Sequence, residues 1–327
     1  MKNSVKKLLS LFTITVLLIT VFSACADTNG GLNDTAKYRI GICQFIKHAA
    51  VDSATEGFKA ALTEKLDNAV VFDYQNATGE KANAASICNT FATNNYDLIF
   101  ANSTNALAAA AEATSQIPVV ACSVTDFQST LGLTEFNGKT GFNVTGASDL
   151  LPLENQAQVI NELFPDAKKV GILYCSSETN SAYQAQEITK HLTAYGYTCK
   201  SYTFVDTTDV TLVTQKAASE CDVIYTPTDN TVASNTQAIN NILEPAKVPL
   251  VAGNNDVALD CGVATVGIEY YDLGYKAGLM AYDILVNGKD PAEMEIIYAD
   301  EYIKRYVPER ATLLEITVPE DYKAIEK

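Results

Sequence analysis

The sequence predicts an α/β protein built from two similar doubly wound parallel-sheet lobes joined by a hinge. Its 327 residues exceed the usual size of one domain and suit two lobes. Short apolar, β-rich runs alternate with helical patterns, and such alternation requires a parallel sheet covered by helices on both faces. Three strand-plus-loop units also recur in the same order about 130 residues later, as expected for a duplicated lobe.

The first lobe begins with an apolar run at 38–45, which predicts a strand. Apolar residues then recur at spacings of three and four from Val51 to Leu66, which is typical of an amphipathic helix. The remaining elements follow the same alternation, with strands predicted at 69–76, 96–102 and 117–124 and helices at 81–93 and 106–114.

The second lobe is predicted from three sequence segments of the first lobe that are repeated in similar form. The run "YRIGICQF" returns as "KKVGILYCSS" at 168–177, and "YDLIFANST" returns as "CDVIYTPTD" at 221–229. The run "IPVVACSVTD" returns as "VPLVAGNND" at 248–256. Three repeated segments in the same order are unlikely to arise by chance, so they are stronger evidence for a duplicated lobe than any single motif.

The boundary between the lobes is expected near 147–151, where Gly146 and Pro152 interrupt the pattern. A second crossing is expected near 264–270, followed by a helix at 271–287 that ends at Gly288 and returns to the first lobe. The division predicted from these boundaries is a signal peptide at 1–24, a tether at 25–36, a first lobe at 37–147 plus about 267–290, and a second lobe at 148–266 plus about 291–327.

The N-terminus is typical of an exported protein. Three lysines precede an apolar run from Leu8 to Phe22, which is shorter than the ~20 residues that span a bilayer, so a secretion signal is expected. The run ends in "VFSAC", which resembles a bacterial lipobox in which Cys25 is acylated and becomes the first residue. A polar, glycine-containing tether then leads to the first lobe.

The composition excludes several classes of protein. Asp plus Glu number 39 against 23 Lys plus Arg, a net charge of −16, so nucleic acid is not an expected partner because its binding depends on phosphate neutralisation. Only two histidines occur, which argues against histidine-based metal sites and proton shuttles. We found no nucleophile elbow, zinc-protease helix or phosphate-binding loop. No catalytic residues, metal or cofactor are therefore predicted.

Seven cysteines follow Cys25, and none forms a C-x-x-C pair. Most lie in apolar strand-like runs, where cysteine behaves as a small buried hydrophobe. A zinc site is therefore not expected, and whether any two cysteines pair stays open.

A ligand in such a fold binds beyond the carboxyl ends of the strands, so two facing lobes form a cleft with strand ends on both walls. Polar and aromatic residues at these ends are the candidate ligand-binding residues. On the first lobe they are Gln44, Phe45, Ser103, Thr104, Ser123 and Thr125, and on the second Tyr174, Glu178, Asn180, Asp229 and Asn254.

The two walls differ in charge. Ser103 or Thr104 is expected to cap the helix that follows, and the free backbone N–H groups there could bind an anion. The alternative interpretation is that these residues only cap the helix and bind no ligand. The second wall carries carboxylates that suit an ammonium group, and Asp229 is favoured because it lies at a strand end. Phe45, Phe127, Phe142 and Tyr174 could supply apolar surface for a ligand or belong to the core.

The motifs "GICQFIKHAAVDSATEGFKAAL", "PVVACSVTD", "GFNVTGASD", "VGILYCSSETNS", "PTDNTVAS" and "TVGIEYYDLGYKAG" together resemble the substrate-binding lipoproteins of ABC importers. They are most similar to the group that includes tryptophan- and tyrosine-binding proteins of Gram-positive bacteria. The resemblance runs from about residue 38 to about 322 and implies the two-lobed type I periplasmic-binding-protein architecture.

The resemblance also implies an aromatic amino acid as ligand (tyrosine, tryptophan or phenylalanine), an ABC permease as partner, and a lipid-anchored position at the extracellular face of the membrane. Hinged closure of the lobes would capture the ligand. A same-fold lipoprotein that binds a nucleoside or sugar, or acts as a surface sensor or adhesin, is the alternative. A transcriptional regulator of this fold would need a helix-turn-helix where this chain has a signal sequence.

Overall fold

A parallel sheet forms the centre of the first lobe in the computed structural model, which describes residues 37–325. In chain order its elements are β1 (Tyr38–Gln44), α1 (Ala49–Leu66), β2 (Val70–Asn76), α2 (Lys81–Thr93), β3 (Leu98–Asn102), α3 (Thr104–Ala113), β4 (Val119–Val124), α4 (Phe127–Thr130) and β5 (Val144–Ser148). The strands lie in the order β2-β1-β3-β4-β5, and every neighbouring pair is parallel.

The second lobe repeats this arrangement and extends it. Its elements and those that follow are α5 (Leu153–Leu163), β6 (Lys169–Cys175), α6 (Thr179–Ala194), β7 (Thr198–Phe204), α7 (Val210–Glu220), β8 (Val223–Thr226), α8 (Asn230–Ala233), α9 (Thr236–Ala246), β9 (Leu250–Ala252), α10 (Asn255–Cys261), β10 (Ala264–Gly267), α11 (Tyr270–Asn287), β11 (Ile303–Tyr306), α12 (Pro308–Leu313) and β12 (Lys323–Ala324). The sheet order is β12-β11-β10-β9-β8-β6-β7, with β11 antiparallel to β10. Because β7-β6-β8-β9-β10 reproduces the order of the first sheet, the predicted fold class is confirmed.

The chain passes between the lobes three times. It leaves the first sheet after β5, returns between β10 and α11, and leaves again before β11 joins the second sheet. Ile297 still belongs to the first lobe, because its N–H donates to Gly146 O at 3.0 Å and its carbonyl accepts from Ser148 N at 2.8 Å. The sequence predicts that about 291–327 belongs to the second lobe. The structure instead places the last crossing after Ile297, since this residue extends the edge of the first sheet.

Helix α11 packs along α1 in the first lobe, where Leu273 and Ala277 join the same buried cluster as Phe58. The two backbones approach so closely that a Cβ at Gly274 would lie within 3.0 Å of the carbonyl oxygen of Ala54. The helix ends at Gly288, whose φ of 69° is favourable for glycine. This C-cap is the one predicted from the sequence.

The seven cysteines within 37–325 are free, and five of them are buried. Cys122, for example, lies on β4 in the first-lobe core, and Cys261 is the last residue of α10 and packs in the second-lobe core. Burial raises the pKa of each of these two thiols to about 12. The prediction that most cysteines behave as small core residues agrees with this placement.

Helices long and apolar enough to cross a membrane do not occur between residues 37 and 325. The predicted signal peptide, Cys25 and the tether lie outside the described residues.

Candidate functional site

A small polar cavity, with about 10 Å³ of space open to a water-sized sphere, lies between the lobes at the carboxyl ends of the strands. Its lining residues follow strands or begin helices in both lobes. They are His48, Val51, Ser123, Thr125, Asp149, Asn180, Thr228, Asp229, Asn230, Asn254 and Tyr270. The duplicated fold therefore places the cleft where the sequence predicted it.

Hydrogen bonds at and around this cavity join the two lobes. His48 Nε2 lies 3.3 Å from Asn230 Oδ1, which joins the start of α1 to the start of α8. Gln184 Nε2 lies 3.4 Å from Thr125 Oγ1, and Lys81 Nζ donates to Ser177 O at 3.0 Å. The lobes are thus in a closed arrangement, held by a few polar contacts, of which the two beside the cavity are long and individually weak.

Asp229 begins α8 at the second wall and is 1% exposed. Its Oδ1 accepts from Val232 N at 2.8 Å and its Oδ2 from Cys175 N at 2.7 Å. Burial, and then the charge of Glu178, raise the pKa of this carboxyl. Asp229 therefore lines the cavity and at the same time fixes the local backbone of its own lobe.

Both carboxylate oxygens of Glu178 accept hydrogen bonds from residues of the second lobe. One carboxylate oxygen accepts from Asn230 N and Nδ2 at 3.0 and 2.6 Å, and the other accepts from Thr231 N and Oγ1 at 2.9 and 2.7 Å. These four donors tie the start of α6 to the start of α8. Glu178 is not among the cavity-lining residues, so it acts as a positioning residue for the wall.

Asp149 lies directly after β5, where the chain first leaves the first lobe. Its Oδ1 accepts from Thr125 Oγ1 at 3.2 Å, and its Oδ2 accepts from the hydroxyl of Tyr270 at 2.9 Å. Tyr270 begins α11 directly after the second crossing. Burial raises the pKa of Asp149 to about 6, because two hydroxyl donors only partly replace the lost hydration.

The first wall contains two strained serines at adjacent strand ends. Ser103 has φ of 104° and Ser123 has φ of 55°, a region that costs a non-glycine residue roughly 1–3 kcal/mol and is frequent at functional sites. Ser103 occupies the N-cap position of α3, as predicted, but its side chain makes no capping bond. Its buried hydroxyl has no partner within the described part of the chain.

The structure brings five of the predicted site residues into the cavity lining: Ser123, Thr125, Asn180, Asp229 and Asn254. The other six are Gln44, Phe45, Ser103, Thr104, Tyr174 and Glu178, which do not line it. Gln44 is engaged inside the first lobe by Ile46 O, Asp52 and Thr55. Phe45 packs in the first-lobe core, and Tyr174 packs against the second.

Six lining residues are absent from the predicted set: His48, Val51, Asp149, Thr228, Asn230 and Tyr270. Asp149 and Tyr270 follow β5 and β10, which are corresponding strands of the two sheets. The sequence did contain a signal for Asp149 and Tyr270. Both follow the strands after which the chain is predicted to cross between the lobes, and those strand ends face the cleft. The hydrogen bond between these two side chains, which are 121 residues apart, could not be predicted from any pattern in the sequence.

None of the three arginines contributes a charge to the cavity. Arg39 contacts Tyr96, Arg305 pairs with Glu269, and Arg310 donates to Asn240. Burial lowers the pKa of His48, which favours the neutral imidazole. The lining residues therefore offer carboxylates to a cation but only neutral groups to an anion.

Two duplicated α/β lobes, joined by three crossings and closed over a polar cavity at their strand ends, define a ligand-binding protein of the type I periplasmic-binding-protein class. The family model described as "ABC transporter substrate binding protein" matches residues 39–324. The chain belongs to this family, whose members are extracytoplasmic substrate-binding and transport proteins, not enzymes, and work with an ABC permease.

Several relatives are similar over nearly the whole chain. The tyrosine-binding protein of Clostridioides difficile (strain R20291) is 32% identical over 308 residues, covering 90% of this chain and 88% of the relative. An ABC domain of Streptococcus pneumoniae solved with L-Trp has a TM-score of 0.83 at 30% identity, covering 87% of this chain and 97% of that one. A ligand-free, open substrate-binding protein with adhesive properties from Clostridium difficile has a TM-score of 0.67 at 30% identity, covering 88% and 99%.

Proposed function

We propose that this protein captures an aromatic amino acid outside the cytoplasm and delivers it to an ABC importer. The observation that carries the proposal is the likeness, over about nine-tenths of the chain, to a tyrosine-binding protein and to a structure that holds L-Trp. The favoured ligands are tyrosine, tryptophan and phenylalanine. Ser123, Thr125, Asn180, Asp229 and Asn254 are the predicted residues that would contact them.

The polarity of the cavity supports a zwitterion. Two buried carboxylates, Asp149 and Asp229, line it and would attract an ammonium group. The ligand carboxylate would rely on hydroxyl and amide donors of the lining residues, because none of the three arginines reaches the site. Val51 and the ring of Tyr270 supply apolar surface, whereas Phe45 and Phe127 are committed to the core.

Isothermal calorimetry and thermal unfolding of the purified protein test the ligand class. Tyrosine, tryptophan and phenylalanine should bind, and the one that binds best should raise the free energy of unfolding by roughly 2.7 kcal/mol at a hundred times its Kd. Adenosine, glucose and rhamnose serve as matched non-zwitterionic ligands and should leave the melting temperature unchanged. Stabilisation by a nucleoside or sugar alone would assign the protein to the alternative ligand class.

Binding is also expected to close the lobes by a hinge at the three crossings. Because the interlobe hydrogen bonds are few and each is worth only about 1 kcal/mol, the ligand-free protein should populate an open form in solution. Small-angle scattering should then give a smaller radius of gyration at saturating ligand than without it. An unchanged radius would mean that the lobes are locked or that the ligand binds elsewhere.

The same proposal includes anchoring at the extracellular face of the membrane through a lipid on Cys25. Its support is the lipobox-like "VFSAC" and the polar stretch that separates Cys25 from the first strand. A lipid there would keep the binding protein near its permease while the tether leaves the lobes able to close.

A further inference from the structure

We propose that Asp149, held by Tyr270 where the chain crosses between the lobes, binds the ammonium group of the ligand. This inference rests on the proposed function and goes beyond it by naming the carboxylate, which the sequence analysis expected to be Asp229. It also places the ligand's positive charge on the hinge itself.

The three acidic residues around the cavity differ in the donors that they already hold. Glu178 accepts from four donors and does not line the cavity. Asp229 holds three donors: the hydroxyl of Ser181 and two backbone N–H groups, which cannot turn away because they belong to β6 and α8. Asp149 accepts from side-chain hydroxyls, those of Thr125 and Tyr270.

A buried carboxylate bonded by two neutral hydroxyls is incompletely compensated for the water that it has lost. Asp149 is 3% exposed and lines the cavity, so a ligand ammonium entering there would supply the missing positive charge. A hydroxyl can donate to the carboxylate and also accept from an ammonium. Thr125 and Tyr270 could therefore keep their bonds to Asp149 and add acceptors around the same charge.

The position of this pair links binding to closure. Asp149 follows the last strand of the first sheet, whereas Tyr270 follows β10 of the second, so their 2.9 Å bond joins the first and second crossings. Thr125 also accepts from Gln184 of the second lobe at 3.4 Å. An ammonium bound at Asp149 would therefore contact groups whose relative positions change when the lobes rotate.

Calorimetry on the purified protein tests the assignment with tyrosine, tryptophan and phenylalanine and with their des-amino analogues, such as 3-phenylpropionate. Asp149→Asn should weaken the amino acids at least tenfold, since a charge-assisted hydrogen bond to a buried ion is lost. It should leave the analogues unchanged, because they carry no ammonium. Asp126→Asn, which removes a carboxylate of the same lobe outside the lining residues, should change neither.

Two further measurements separate a ligand role from a structural one. Because burial raises the pKa of Asp149 to about 6, above the ~3.9 of an unfolded chain, its charge disfavours the fold at pH 7.5. Asp149→Asn should therefore leave the melting temperature of the ligand-free protein equal or higher. Tyr270→Phe keeps the carboxylate and removes one donor, so it should weaken the amino acids by a smaller factor, two- to fivefold.

The assignment is overturned if Asp229→Asn weakens the amino acids tenfold while Asp149→Asn does not; the proposed function then stands. It is also overturned if Asp149→Asn weakens the amino acids and their analogues equally, which would indicate a role in the fold of the cleft. If the unmodified protein binds none of the three amino acids, the proposed function itself fails, and the assignment fails with it.

Discussion

Gly274→Leu is expected to lower the free energy of unfolding by about 3 kcal/mol, the upper end of the usual cost of overpacking. Any Cβ at this position would lie within 3.0 Å of the backbone of Ala54, and a Cβ at Gly57 would meet the backbone of Tyr271 equally closely. Backbone atoms cannot rotate aside as a side chain can. The larger residue should therefore push α11 away from α1 and open the core around Phe58.

Chemical denaturation measures this effect, with Asp272→Leu as the matched control. Asp272 lies on the same helix but is exposed, so a leucine there should change stability by no more than about 0.5 kcal/mol. Equal effects of the two substitutions would show that the helices separate at little cost and that their glycines are not required.

Cys25→Ala is expected to move nearly all of the protein from the membrane fraction to the medium. Without its sulfur no acyl chain can be attached, and the apolar run before it is too short to span a bilayer with ease. Immunodetection of membrane and medium fractions from the native host, or a related Gram-positive host, gives the distribution.

Cys199→Ala is the matched control for that experiment. Cys199 is a partly exposed thiol of the second lobe, and its removal should leave the protein in the membrane fraction. Retention of the Cys25→Ala protein at the level of the control would instead identify the apolar run as an uncleaved anchor.

The fold could be predicted because its signals are local and repeated. Apolar runs and helical spacing gave α2 with the bounds that the structure shows, and α11 with a start only one residue late. The parallel sheets followed from the alternation of strands and helices, since parallel strands need a crossover between them. The tail was harder: Ile297 extends the first sheet through a single bridge, which leaves no periodic pattern.

The site could be predicted only in part, because polar side chains at strand ends have several possible partners. Glu178 and Asp229 both follow strands in the sequence. In the structure, both carboxylate oxygens of Glu178 accept hydrogen bonds from residues at the start of α8, whereas Asp229 lines the cavity. Gln44 was expected in the cleft but is bonded to Asp52 and Thr55. Such choices depend on residues brought together by the tertiary fold.

The free cysteines have a consequence for how the protein can be made. Thiol–disulfide exchange proceeds through the thiolate, and burial raises the pKa of thiols such as Cys122 and Cys261 well above neutral pH, so that little thiolate forms there. Neither lobe depends on a cross-link between these cysteines. The folded lobes should therefore acquire the same covalent structure in a reducing host cytosol as in oxidising surroundings, with no need for an oxidase or a disulfide isomerase.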